Sequence, residues 1–225
     1  LPSRMDERVP VANRYFGVFQ DGSVKVRGIE ARRRDTPPWI AEVQTKMLGC
    51  LSRAGSVQDL PGCLQDAFGV FCRALSDLRS GLVPLDKLVI TSRVSHELES
   101  YRSPTPAARA ACQILEQVGK RARPGQKIRF IYTLGEAGVR AWELPGKINP
   151  IEVDRVKYIE LLARAASSIF HPFGIGDDQL KQWAHSQSLA LCLDLKQEVP
   201  LVRKVCHHVR PGGSAGAAEV GRYAG

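Results

Sequence analysis

The 225-residue sequence predicts an α+β fold: a β-hairpin near the N-terminus, then a mainly α-helical region containing a short β element. Three observations carry this reading. Two short apolar runs flank an Asp-Gly pair. Four longer segments repeat apolar residues at helical spacing. One alternating six-residue run, Lys127 to Tyr132, interrupts them.

The hairpin strands are Tyr15 to Phe19 and Val24 to Arg27, joined by Gln20-Asp21-Gly22-Ser23. Asp-Gly suits a type I′ turn, whose two central residues both need positive φ. Alternation in the second strand sends Val24 and Val26 to one face and Lys25 and Arg27 to the other. One face therefore packs while the other offers cations. After the run Arg32-Arg33-Arg34-Asp35-Thr36-Pro37-Pro38, the residues Trp39, Val43, Met47 and Leu51 recur every four positions and predict a helix. Proline in its first turn loses no hydrogen bond, and Asp35 or Thr36 is the expected cap. A second helix is expected from Leu60 to Leu78 on the stripe Leu64, Ala67, Phe68, Phe71, Leu75 and Leu78, with Gly81 ending it.

Leu85 to Ile90 is short and β-branched, and Ser95 is the expected cap of a brief helix after it. A further helix runs from Thr105 to Val118, stopped by Gly119. The basic turn Lys120-Arg121-Ala122-Arg123-Pro124-Gly125 leads into the strand Lys127 to Tyr132. A last long helix spans Val153 to Phe170. Beyond Asp177 the pattern weakens, and Pro211 to Ala218 is small-residue linker material expected to be flexible.

Composition narrows the function classes. Lys and Arg number 32 against 23 Asp and Glu, a formal charge of +9, and 44% of residues are hydrophobic. Such a chain can bury a core, so it is not a disordered chain. No apolar run approaches the length a bilayer-spanning helix needs, and the start, Leu-Pro-Ser-Arg, has no secretory pattern. The six cysteines (Cys50, Cys63, Cys72, Cys112, Cys192 and Cys206) contain no CxxC pair and read as reduced thiols of a cytoplasmic protein. The excess of positive charge points to a polyanion, a membrane surface or an acidic protein.

The cations cluster. Lys25, Arg27, Arg32, Arg33 and Arg34 lie within ten residues that hold one anion, Glu30. On a hairpin face and the turn after it, they suit phosphate, because Arg presents a planar fork of donors. A second cluster, Lys120, Arg121, Arg123, Lys127 and Arg129, surrounds the Pro-Gly turn, with Arg93 and Arg102 in the preceding segment. Two separated patches can hold two stretches of a duplex backbone. An isolated basic run is more often only a solvated surface. Phosphate-loop, HExxH and GxGxxG motifs are absent from the sequence. Asp177-Asp178 reads as a helix cap, since neighbouring side chains on a helix diverge and do not share a cation. Cys192, Cys206, His207 and His208 match no standard zinc-finger spacing.

The order of features is more specific than any single one. Asn13-Arg14-Tyr15-Phe16-Gly17, then Lys25-Val26-Arg27-Gly28-Ile29-Glu30, then Arg33-Arg34-Asp35 and a long helix, resembles the end of the palm and start of the thumb in archaeal-type family B DNA polymerases. Downstream, Leu88-Val89-Ile90-Thr91, Tyr101, Pro106-Ala107-Ala108, Gly119, Arg123-Pro124-Gly125 and the strand Ile128 to Tyr132 resemble the thumb. Asp154 to Gly174, with Tyr158-Ile159-Glu160 and Phe173-Gly174, is similar to its closing helix. The resemblance covers residues 11 to 180.

The resemblance implies a domain plan and roles. Residues 1–36 would be the palm end with a DNA-facing hairpin, 37–185 the thumb, and 186–225 an unassigned flexible tail. Arg14 and Tyr15 match the end of a Lys-Lys-x-Tyr type motif that holds primer-template duplex, with Ala12-Asn13 in place of the lysines. Lys25, Arg27, Gly28, Arg32, Arg33 and Arg34 match the DNA-facing side, and Arg93, Arg121 and Arg123 the thumb's backbone contacts. Asp35 would order the arginines as a structural ion pair. The family's DxxSLYPS-like, YxDTD-like and Kx3NSxYG-like motifs do not occur in this sequence, so the resemblance implies no catalytic residue or metal ligand here and Mg2+ only in the complete polymerase. The implied partners are primer-template duplex DNA and a larger catalytic polymerase chain, with no membrane. With Leu1 as the first residue, the expectation is a fragment or the small chain of a split enzyme. The alternative is a non-catalytic scaffold or DNA-binding protein derived from an inactivated family B polymerase.

Overall fold

The structure is a computed structural model that describes residues 13–19 and 21–185. The expected flexible tail, the Cys192/Cys206/His207/His208 group and the N-terminal residues before Asn13 lie outside the described residues.

Strands β1 (Tyr15–Val18) and β2 (Val24–Arg27) pair antiparallel, with Tyr15 opposite Arg27 and Gly17 opposite Lys25. The turn differs from the type I′ expectation. Gly22 is left-handed (φ +80°), and the hydrogen bonds of the turn run from Phe19. The amide of Gly22 donates to Phe19 O (2.9 Å) and that of Phe19 to Ser23 O (2.8 Å), closing a three-residue loop. The Asp21 carboxylate accepts from Ser23 N at 2.8 Å, which supports the tight turn, and the Ser23 hydroxyl together with that amide holds the carboxyl below its usual range.

Helix α1 (Pro38–Leu51) places Pro38 in its first turn as expected, but its cap is Pro37 and no side chain caps it. The Asp35 carboxylate is turned to Arg33 instead. Helix α2 (Leu60–Arg79) buries the predicted stripe, with Phe68 and Phe71 at 1% exposure or less. Rings of Phe170 and Trp183 meet Phe68 edge-on at 5.9 and 5.4 Å.

Two local expectations shift. Pro84 presets a single helical turn, α3 (Leu85–Leu88), so the β-branched residues Val89-Ile90-Thr91 extend only afterwards and strand β3 is Ile90–Arg93. Ser95 caps no helix: its amide and that of His96 donate to the Tyr101 hydroxyl, and a 3-10 turn begins at Leu98. Helix α4 (Pro106–Val118) is capped by the Thr105 hydroxyl and ended by left-handed Gly119. Strand β4 (Lys127–Tyr132) lies at the centre of an antiparallel sheet in the order β3-β4-β5. The three-residue β5 (Val139–Ala141) is too short for alternation to announce and exists because β4 offers it a ladder. Helix α5 (Arg155–Phe170) starts at the Asp154 cap, and α6 (Asp177–His185) begins at the acidic pair, with Asp177 bound to Lys181 at 2.7 Å.

Helices α1, α2, α5 and α6 pack together, and α4 covers the sheet. Tyr158 of α5 joins the two parts. It is fully buried, its hydroxyl donates to Leu88 O (2.9 Å) and accepts from Tyr132 N (3.1 Å), and burial pushes its phenol far up, so it stays neutral. Among the described residues no helix is long and apolar enough to cross a membrane.

Candidate nucleic-acid interface

The hairpin divides as its alternation requires. Phe16 and Val26 pack against the core, while Lys25 and Arg27 stand on the exposed face. Lys25 Nζ lies 6.0 Å from the centre of the Phe19 ring. Tyr15 is on the same face as Arg27 and is 38% exposed.

Gly28 fixes the hairpin to the body. Its φ is +69°, and a Cβ there would lie 2.2 Å from the carbonyl oxygen of Asn13, itself left-handed at φ +61°. The chain crosses itself at this point so closely that only glycine fits. Gly28 is thus placed against the Asn13–Arg14 backbone.

Arg14 is drawn inward. Its guanidinium lies 3.8 Å from Glu30 and donates to the Ser168 hydroxyl, with 17% of its side chain exposed. Gln44, fully buried on α1, completes the junction: its amide donates to Glu30 (3.0 Å) and to Ala165 O (2.8 Å), and its oxygen accepts from Ala31 N. One polar node thereby ties the hairpin base, the turn after it, α1 and α5. The sequence signal was available, because Gln44 stands in an otherwise apolar helical stripe with Ile40, Leu48 and Leu51.

The arginine run is exposed. Arg33 binds Asp35 bidentately, Nε to Oδ1 at 2.9 Å and Nη2 to Oδ2 at 2.7 Å. The bonds from Arg33 hold the Asp35 carboxyl below its usual range, and Asp35 in turn raises Arg33. Among the described residues, Arg32 and Arg34 have no carboxylate within ion-pair distance. A cleft of about 60 Å³ opens beside them, lined in part by Glu30, Arg33, Asp35, Thr36 and Arg164.

The second cluster separates into paired and unpaired cations. Arg121 is held by Glu99 at 2.7 Å with Glu97 at 3.7 Å, and Arg129 by Glu143 at 2.7 Å. Both are turned to neighbouring acids that no sequence spacing would single out. By contrast, Arg93 of β3 stands directly opposite Lys127 of β4, both exposed. Arg123 and Lys120 are exposed on the turn beside them. Like charges directly across a ladder repel, which an anion lying over both would relieve.

Cations thus stand on the exposed face of the hairpin, which is pinned to a helical body, and on the exposed face of the β3-β4-β5 sheet. Among family models, DNA polymerase family B matches residues 12–173, nearly three-quarters of the sequence. The chain belongs to DNA polymerase family B. Its relatives in that family include DNA polymerase 1 of Sulfolobus acidocaldarius, 29% identical over 166 residues, which cover 74% of this chain and 19% of that protein. DNA polymerase 2 of Aeropyrum pernix is 28% identical over 178 residues, 78% of this chain and 21% of its own length. The chain therefore spans about a fifth of the length of these family B relatives. Among solved structures, the family B DNA polymerase of Pyrobaculum calidifontis superposes with a TM-score of 0.53 at 19% identity, over 70% of this chain and 19% of that one. That likeness shows the α+β fold is shared with a family B polymerase.

Proposed function

We propose that this chain is the palm end (residues 1–36) and thumb (37–185) of a family B DNA polymerase, and that it grips primer-template duplex DNA through the phosphate backbone. One observation carries the reading: within a family B chain, unneutralised cations occupy the open sheet faces, Lys25 with Arg27 on the hairpin and Arg93 across from Lys127 on the second sheet. Such contacts supply affinity and register without reading sequence. Arg32, Arg34 and Arg123 extend them, and Arg33 joins them with its fork oriented by Asp35. Tyr15 lies beside Arg27 on the hairpin's open face. Arg14 and Gly28 act indirectly by holding the hairpin in place, and Arg121 contributes little because Glu97 and Glu99 already hold it.

Bond making belongs to a larger catalytic chain in this proposal. Among the described residues no three carboxylate, histidine or cysteine side chains converge as a metal site, and the exposed Asp35 and the half-buried Asp177 are already bound to Arg33 and Lys181. The Mg2+ that two-metal nucleotidyl transfer uses does not fit these residues. The parent activity is template-directed DNA synthesis in replication or repair.

The test is titration of labelled duplex DNA at a series of salt concentrations, read by fluorescence anisotropy. Log K is expected to fall linearly with log salt, by about 0.9 for each phosphate contacted. Arg33→Ala and Arg34→Ala should each weaken binding with no change in melting temperature. A flat salt dependence, or no binding at low salt, overturns the proposal. So does an equal loss of stability and binding in both variants. A pull-down that recovers a chain bearing the aspartate motifs supports the split enzyme.

A further inference from the structure

Helix α5 brings a cation to the arginine run that the linear sequence places more than a hundred residues away. Arg164 is exposed and lines the same cleft as Arg33, Asp35 and Thr36. Both acids of that cleft have partners. Glu30 is held by Arg14 and Gln44, and Asp35 by Arg33. Elsewhere on α5, Lys157 is bound to Glu160 at 2.7 Å. Among the described residues, Arg164 has no carboxylate within ion-pair distance, so its charge is the surplus of the cleft. Arg33 gives two of its five N–H groups to Asp35, which leaves three donors in an orientation that Asp35 fixes. The cleft, of about 60 Å³, admits the oxygens of one phosphate.

We propose that Arg164, with Arg33 and the Thr36 hydroxyl, seats one backbone phosphate of the bound nucleic acid, making α5 part of the gripping surface. This rests on the duplex-binding reading above. It adds an element outside the two basic clusters and explains why Asp35 stands among the arginines: it aims one fork while Arg164 supplies the net charge.

The experiment compares the full chain with Arg164→Ala, Arg164→Lys and Arg121→Ala in the same salt-series titration. Arg164→Ala is expected to lower duplex affinity about three- to tenfold and the salt slope by about 0.9, the loss of one phosphate contact. Arg164→Lys should keep the slope and recover part of the affinity, since a point charge replaces a fork. Arg121→Ala should leave the slope unchanged. Melting temperatures should match, because alanine is well tolerated on an exposed helix surface. If Arg33→Ala and Arg34→Ala weaken binding while Arg164→Ala matches wild type, this inference falls and the duplex reading stands. If the wild-type chain does not bind duplex, both fall. Inorganic phosphate, titrated at constant ionic strength, is the second probe: saturable phosphate binding lost in Arg164→Ala while duplex affinity stays unchanged would mean a free-phosphate site and would overturn the proposal.

Discussion

Replacing Gly28 by alanine tests whether the hairpin is a separately held DNA-gripping element. At φ +69° a side chain adds about 1–2 kcal/mol of backbone strain, and the new Cβ would sit 2.2 Å from Asn13 O, a contact only backbone movement relieves. The cheaper response is for the hairpin to let go. It is a two-stranded sheet, marginal by itself, anchored through the half-buried Phe16 and Val26. Losing about half the burial of those two side chains costs about 1.5–3 kcal/mol. For a chain of this size that lowers the melting temperature by about 3–12 °C. Releasing Lys25 and Arg27 should remove two phosphate contacts and lower the salt slope by about 1.8. Hydrogen exchange should show β1 and β2 amides unprotected while α2 amides stay protected. Gly17→Ala is the control, because a Cβ there meets nothing within 4 Å. Hairpin amides that exchange as slowly in Gly28→Ala as in wild type, with an unchanged slope, would refute the reasoning.

Two further outcomes follow from the same contacts. Tyr158→Phe leaves Leu88 O and Tyr132 N without their partner in a dry interior, so thermal unfolding should show a loss of about 2–3 kcal/mol with no change in the salt slope of DNA binding. The Asp35 carboxyl, held down by Arg33, should titrate by NMR below the ordinary value of 3.8; its pair with Arg33 is therefore intact at neutral pH and lost only as pH falls through that lowered value, and Arg33→Ala should move the midpoint up.

Local pattern announced the elements whose cause is local. The stripe of α2, the span and Gly119 stop of α4, and the alternation of β4 are all found within one or two residues of their expected bounds. The departures have local and distant causes. Pro84 imposed a helical turn that β-branching concealed, and a three-residue β5 needed β4 beside it. For the site, exposure of Arg32, Arg33, Arg34 and the outer face of β2 was legible because alternation and proline placement are short-range rules.

What the sequence by itself determined is the α+β class, the charge of +9, its division into two clusters, and the order of motifs that marks DNA polymerase family B. Those properties depend on neighbours in the chain. Which cations remain available for a ligand is a different question, because an ion pair depends on distance in space. Only the tertiary structure turned Arg14 toward Glu30, bound Arg121 to Glu99, set Arg93 against Lys127 and carried Arg164 to the cleft beside Arg33. Attraction between charges falls off over a few ångströms of separation, and the fold brings within that range positions from 16 to 131 residues apart in the chain.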